Sequence, residues 1–175
     1  MAIINTDIVK RFSVAAAAGD TTVGTAAGSL GDQISTTAIV DATIDNLFDS
    51  VSGAEAAAGD VEYRCFFVLN NHATLTLANA TVEVLSQTAG GGTIDLATDN
   101  IAASAKAAAV AQAATIANET VAPSGVSAFG AGPLAIGDLA PGQVKGVWVR
   151  RTVTAGAGGV NPDGGIIRVT GDTLP

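Results

Sequence analysis

Residue types that carry chemistry are scarce in this chain of 175 residues, which has one cysteine and one histidine. A single cysteine cannot form an internal disulfide, so the fold does not depend on an oxidising compartment. A hydrolytic triad needs an imidazole base, and His72, in a turn-forming stretch, is the only one. A zinc site needs several His or Cys ligands at short spacing. We therefore predict that the chain is not an enzyme and holds no cofactor or metal.

Basic residues are also few, with eight Lys and Arg against sixteen Asp and Glu and a formal charge of -8. Such a charge repels nucleic-acid backbones and anionic membrane surfaces, which excludes direct nucleic-acid binding as the main activity. No stretch approaches eighteen strongly apolar residues, and the first residues lack the pattern of a leader. We expect no membrane partner.

Aromatic residues make up only 4% of the chain, although 48% of it is hydrophobic. Alanine supplies much of that fraction, so the predicted core consists of Val, Ile, Leu and Ala with few large side chains. The length suits one domain with a real core.

Alternating side chains predict that strands form this core. From Val61 to Leu69 one face carries Val, Tyr, Cys, Phe and Leu, and the other carries Glu, Arg, Phe and Val. We expect this strand and the β-rich residues 74–85 to form a long hairpin, and residues 144–154 to form a second long strand. Many short strands separated by turns indicate an all-β fold, a β-sandwich of the immunoglobulin-like or jelly-roll-like kind.

One or two short helices are expected within this β-rich chain. Ile44, Leu47, Phe48 and Val51 recur at helical spacing. The alanine-rich residues 102–109 favour a helical turn by propensity, although their β-rich surroundings favour a strand.

The N-terminal part differs in composition, because residues 15–31 are mostly Ala, Gly, Thr and Ser. We predict that residues 1–34 form an extended arm that reaches a neighbouring subunit, and that residues 35–175 form the sandwich. Phe12 is the expected anchor of the arm. The basic pair Lys10 and Arg11 either contacts a partner or lies on the solvent face of a strand.

Trp148 and Arg150 share one face of the second long strand and are of the residue types that dominate interface energies. They are candidates for an interface hot spot. The alternative for Trp148 is a place in the core of its own sandwich.

Three carboxylates, Asp41, Asp45 and Asp49, repeat at every fourth residue. Their spacing is not that of a calcium-binding loop. We interpret them as a solvated face, with the alternative that Asp45 and Asp49 face basic residues of a partner.

Four stretches together resemble a family of structural proteins from the virions of tailed bacteriophages, most closely in role the head decoration or cement proteins. They are DNLFDSVSGAEA at 45–56, GDVEYRC at 59–65, ANETVAPSGV at 117–126 and IGDLAPGQVKGVWVRRTV at 136–153. The resemblance implies a non-enzymatic subunit, made in the host cytoplasm, that binds the major capsid protein on the capsid surface and stabilises the head. It also implies self-association, with a homotrimer expected, and it transfers no functional residue.

Two alternatives remain open at this point. One is a structural component of another part of the virion: the tail, the connector or a fibre. The other is a carbohydrate-binding module that contacts the host, for which Trp148 and Tyr63 would have to offer exposed rings to a sugar.

Overall fold

A computed structural model describes residues 2–89, 91–159 and 163–174 of the chain. Strands dominate these residues, with one short helix and one 3-10 turn at Asn5–Asp7. The strands are β1 (Ile8–Val14), β2 (Gly31–Ala38), β3 (Asp60–Asn70), β4 (Thr76–Gln87), β5 (Thr93–Thr98), β6 (Ser104–Ala105), β7 (Ala113–Thr115), β8 (Leu134–Leu139), β9 (Gln143–Val153) and β10 (Gly165–Leu174), and the helix is α1 (Gly53–Ala58).

Two antiparallel sheets form the body. The larger sheet has the order β5-β9-β3-β1-β2-β7, with β6 paired to the start of β9, and the smaller sheet has the order β10-β4-β8. One apolar cluster fills the space between the sheets and includes Phe66, Val68, Val82, Leu96 and Val147. The predicted all-β sandwich is therefore confirmed.

The alternation of β3 explains how the larger sheet becomes buried on both faces. Phe66 and Val68 face the smaller sheet, whereas Cys65, Phe67 and Leu69 belong to a second cluster on the opposite face. That second face is covered by irregular chain rather than by another sheet, through residues such as Leu30, Ile116, Val126 and Phe129.

The predicted hairpin of β3 and β4 is wrong. β3 pairs with β9 and β1 in the larger sheet, while β4 pairs with β8 and β10 in the smaller one. Asn70 ends β3 with its side chain buried, and its Nδ2 donates to the carbonyl oxygens of Leu75 and Leu139 at 2.8 Å each. These bonds fix residues 71–75 as the loop that connects one sheet to the other.

The predicted N-terminal arm is also wrong as a description of residues 8–34. β1 lies between β3 and β2 within the larger sheet, with Phe12 opposite Phe66 and Val9 opposite Leu69. Residues 19–30 return along the same body, where the amide of Cys65 donates to the carbonyl of Ser29. Their small side chains permit this close packing, because Ser29 and Gly24 are buried. The N-terminal residues are thus part of the domain.

Neither the helix predicted at residues 44–51 nor the helical turn predicted at residues 102–109 forms. Residues 41–49 form turns and bends, and the alanine-rich residues 102–109 contain the short strand β6 and a turn. The helix that does form, α1, has a capping box: Ser52 Oγ accepts from the Glu55 amide, and Glu55 Oε2 accepts from the Ser52 amide at 2.6 Å.

Candidate interaction surface

Trp148 lies on β9 beneath the irregular layer and has no exposed surface. Its Nε1 donates to Oδ2 of Asp99 at 3.0 Å, and the same oxygen accepts from the Ala114 amide at 2.7 Å. Since a buried indole needs a partner for its N–H, this contact completes a core site. The alternative of a core tryptophan is correct, and the expected hot spot at Trp148 is wrong.

Arg150 occupies the same face two residues further along and is about one-third exposed. Its Nη2 lies 2.5 Å from Asp95 Oδ2 on β5, and its guanidinium lies 5.1 Å from the ring centre of Phe129. The residue therefore closes the edge of its own irregular layer. Its role in an interface stays a prediction.

Lys10 and Phe12 face the smaller sheet from β1. Lys10 Nζ lies 2.8 Å from Asp41 Oδ1, and Phe12 packs, partly buried, against the cluster between the sheets. Lys10, Ile39, Asp41, Leu47 and Ile167 line a groove beside the start of β10. Lys10 thus borders a groove, and both candidates are already in contact with their own chain.

Arg11 points to the opposite side of β1 and binds Asp20, which also accepts an ion pair from Lys106 at 2.9 Å. Burial opposes ionisation of Asp20, but hydrogen bonds and charge from Lys106 and Arg11 outweigh it and hold the pKa of that carboxyl below its ordinary value. The predicted basic pair at 10–11 is therefore divided between two faces of the sheet.

A buried ion pair joins Glu62 on β3 to Arg151 on β9. Arg151 also donates to the backbone carbonyl of Asp49, and its guanidinium lies 4.9 Å from the ring centre of Phe48. Burial raises the pKa of Glu62, and the charge and hydrogen bond of Arg151 oppose that rise only in part. The pair fastens residues 48–49 to the sheet.

The remaining candidate groups are dispersed. Asp41 pairs with Lys10, Asp45 accepts from Ser50 Oγ at 3.0 Å, and Asp49 is next to Arg151. His72 Nδ1 accepts from the amides of Thr74 and Leu75 at about 3 Å, which caps its own turn. Within residues 2–89, 91–159 and 163–174, no three His, Cys, Asp or Glu side chains are grouped as a metal site would require.

The outer side of β10 is a feature that none of the predicted site residues marks. Among the described residues, this strand pairs only with β4, so its other side is a free sheet edge. Ile167 and Val169 pack towards the core, whereas Ile166 is 57% exposed and Leu174 is 49% exposed. The signal that could have found it is the alternating sequence of residues 165–174.

Three further comparisons add no relative. Neither a protein-family model, nor a curated protein, nor a solved structure matches this chain. Over the part of the chain that the structure describes, none of the helices has the length and apolar character needed to span a membrane.

Proposed function

We propose that this protein is a non-enzymatic structural subunit of a tailed-bacteriophage virion, which decorates the capsid by binding the major capsid protein and other copies of itself. The observation that carries the proposal is the long free edge of β10, which presents Ile166 and Leu174 to solvent at its two ends. An unpaired edge of this length is a template for pairing with another chain. The sequence resemblance supplies the class of partner.

The surface of the chain supports the same proposal. The formal charge of -8 favours protein partners over packaged nucleic acid. Further large apolar side chains are more than 60% exposed, at Val23, Val40, Ile44 and Val110. Exposed apolar side chains of this kind gain free energy when a partner covers them, at about 25 cal/mol per Å² of apolar surface.

The carbohydrate-binding alternative loses support from the positions of its two aromatic residues. Trp148 has no surface on which a sugar could stack. Tyr63 is partly buried, and its ring packs edge-on against Phe129 with the centroids 5.6 Å apart. We therefore do not propose a glycan site.

The experiment is sedimentation of the purified chain with phage heads assembled without it. We expect the chain to pellet with the heads and to saturate at a fixed ratio to the major capsid protein. Heads already saturated with unlabelled chain serve as the control for non-specific trapping. A chain that stays in the supernatant with heads but pellets with purified tails contradicts the capsid proposal and favours the tail alternative.

A further inference from the structure

The free edge of β10 has a sequence that is complementary to itself. We propose that β10 pairs antiparallel with β10 of a second copy of this chain, about a two-fold axis at Thr170. The inference gives the proposed self-association a surface, and it rests on that part of the proposed function. It joins the two smaller sheets into one continuous sheet of six strands.

β10 is regular along its length. Two β-bulges interrupt its pairing with β4, between Ile166 and Ile167 and between Thr170 and Asp172. In both places the extra residue lies on β4, because Ser86 and Val84 oppose consecutive residues of β10, and two residues of β4 oppose Gly171 alone. A bulge kinks the strand that carries it, so β10 keeps the straight alternation that a new partner strand needs.

The outer face of β10 carries a row of side chains in a symmetric order. Ile167 and Val169 pack inward, and a Cβ on Gly171 would meet Leu77 of the core at 2.7 Å. The residues that alternate with these three therefore point outward. In order they are apolar, cationic, hydroxyl, anionic and apolar: Ile166, Arg168, Thr170, Asp172 and Leu174.

The symmetric row selects one register for the pairing of two copies. When two antiparallel copies meet at Thr170, Arg168 lies opposite Asp172 of the second copy, and Ile166 lies opposite its Leu174. Each pair occurs twice because a two-fold interface is self-complementary. Opposite charges and apolar side chains directly across two strands are stabilising, whereas a shift by two residues places Ile166 or Leu174 against a charge. One register therefore satisfies every position of the row.

Contacts within the chain already prepare the charged positions. Arg168 donates to Glu83 Oε1 through Nε at 2.8 Å and also through Nη2, and its side chain remains about half exposed. Asp172 Oδ2 accepts from Asn79 Nδ2 at 3.2 Å, which leaves its other oxygen for Arg168 of the second copy. The joined sheet would carry Glu83, Arg168 and the second copy's Asp172 as one row of alternating charge.

This pairing defines the unit in solution as a dimer, with twice the chain mass of 17.1 kDa. It differs from the trimer expected from the resemblance, because a contact about a two-fold axis closes on itself after two copies. A sheet edge of an unrelated partner would not require the symmetric order of charges and apolar residues in β10.

A disulfide at the axis tests the geometry. Opposed residues of antiparallel strands have Cα atoms about 4.5–5.5 Å apart, within the range that a disulfide spans. We expect Thr170→Cys to give a covalent dimer under mild oxidation. The control is Thr81→Cys, because Thr81 pairs with Thr170 inside the chain and would lie roughly 14 Å from its equivalent across the axis. The native Cys65 is fully buried.

A charge swap tests the register. We compare three variants. The first is Glu83→Gln, which removes the internal partner of Arg168. The second adds Asp172→Arg to this change, and the third adds both Arg168→Asp and Asp172→Arg. The second variant opposes two arginines twice, and we expect its dimer dissociation constant to rise about tenfold or more. The third restores opposite charges, and we expect it to regain the dimer.

Sedimentation equilibrium and circular dichroism provide the readouts. Any one of four results would overturn the inference. They are a folded monomer at every concentration, a trimer, a dimer insensitive to Asp172→Arg, and equal cross-linking at residues 81 and 170. Binding of a monomer to phage heads would leave the proposed function intact, and loss of head binding by an intact dimer would leave the inference intact.

Discussion

The indole N–H of Trp148 donates to the buried carboxylate of Asp99 at 3.0 Å, and this contact joins the larger sheet to its irregular layer. Asp99 also accepts from the amides of Ala114 and Ile101, at 2.7 and 2.9 Å. One side chain thus satisfies three donors in a region that no second sheet covers.

Removal of this acceptor should destabilise the protein strongly. We expect Asp99→Ala to lower the free energy of unfolding by roughly 3 kcal/mol or more, because each buried donor left without a partner costs about 1–3 kcal/mol. Urea unfolding measures the change. Asp95→Ala is the matched control, since the pair of Asp95 with Arg150 is partly exposed and should be worth about 1 kcal/mol or less. Equal losses in both variants would contradict the role of Asp99.

Glycine is required at Gly31 because β2 and β7 approach each other closely there. Its φ is +97°, and a Cβ there would lie 1.8 Å from the carbonyl oxygen of Ala114. We expect Gly31→Ala to prevent folding or to lower the melting temperature by about six degrees or more, as a loss above roughly 3 kcal/mol implies for a domain of this size. Gly53→Ala is the control, because a Cβ meets nothing within 4 Å there. A stable Gly31→Ala protein would show that β2 and β7 do not meet as described.

The position of β1 predicts the result of a truncation. Removal of residues 2–14 deletes a strand between β3 and β2 and uncovers Phe66 and Val68. We expect loss of the cooperative thermal transition, measured by circular dichroism. Removal of residues 2–4 alone deletes the contacts of Ile3 with the core and with the end of β10 and the bonds between Ile4 and Asp7, and should leave the transition in place. If the protein still folds without residues 2–14, the result would support the predicted N-terminal arm instead.

The ion pair of Glu62 and Arg151 predicts a pH dependence. Because burial raises the pKa of Glu62, the folded state binds its proton more tightly than the unfolded state does. Its contribution to stability is therefore fully present below the ordinary pKa of about 4.5 and is lost as the pH rises through the higher folded value. We expect the difference in unfolding free energy between wild type and Glu62→Gln to change across this range and to become constant above it.

Urea unfolding of both proteins between pH 4 and pH 8 measures that difference. Asp41→Asn serves as a control, since it disrupts the pair of Lys10 with a largely exposed carboxylate, whose contribution is small. A difference that stays constant over the whole range would show that burial does not control the ionisation of Glu62.

Local alternation was sufficient to predict the long strands but not their partners. Val61–Leu69 alternates as β3 does, and residues 144–153 alternate as β9 does. The partner of β3 depends on Asn70, whose bonds to Leu75 and Leu139 turn the chain into the other sheet. No period in the sequence encodes those bonds.

Tertiary contacts also explain the missing helix at residues 44–51. The ring of Phe48 packs near the guanidinium groups of Arg64 and Arg151, and Ile44 is 81% exposed despite its helical spacing. Asp45 has a φ of +57°, which no helix permits. The interface residues predicted from the sequence are ones that the fold uses for internal contacts. The free edge of β10 could not be predicted, because it is defined only once the pairing of β10 with β4 is known.

Quantitative mass spectrometry of purified virions tests the central claim most directly. A decoration subunit occupies repeated sites on the shell, so we predict copy numbers comparable to that of the major capsid protein. Absence of the chain from the particle, or only a few copies of it, would contradict the account.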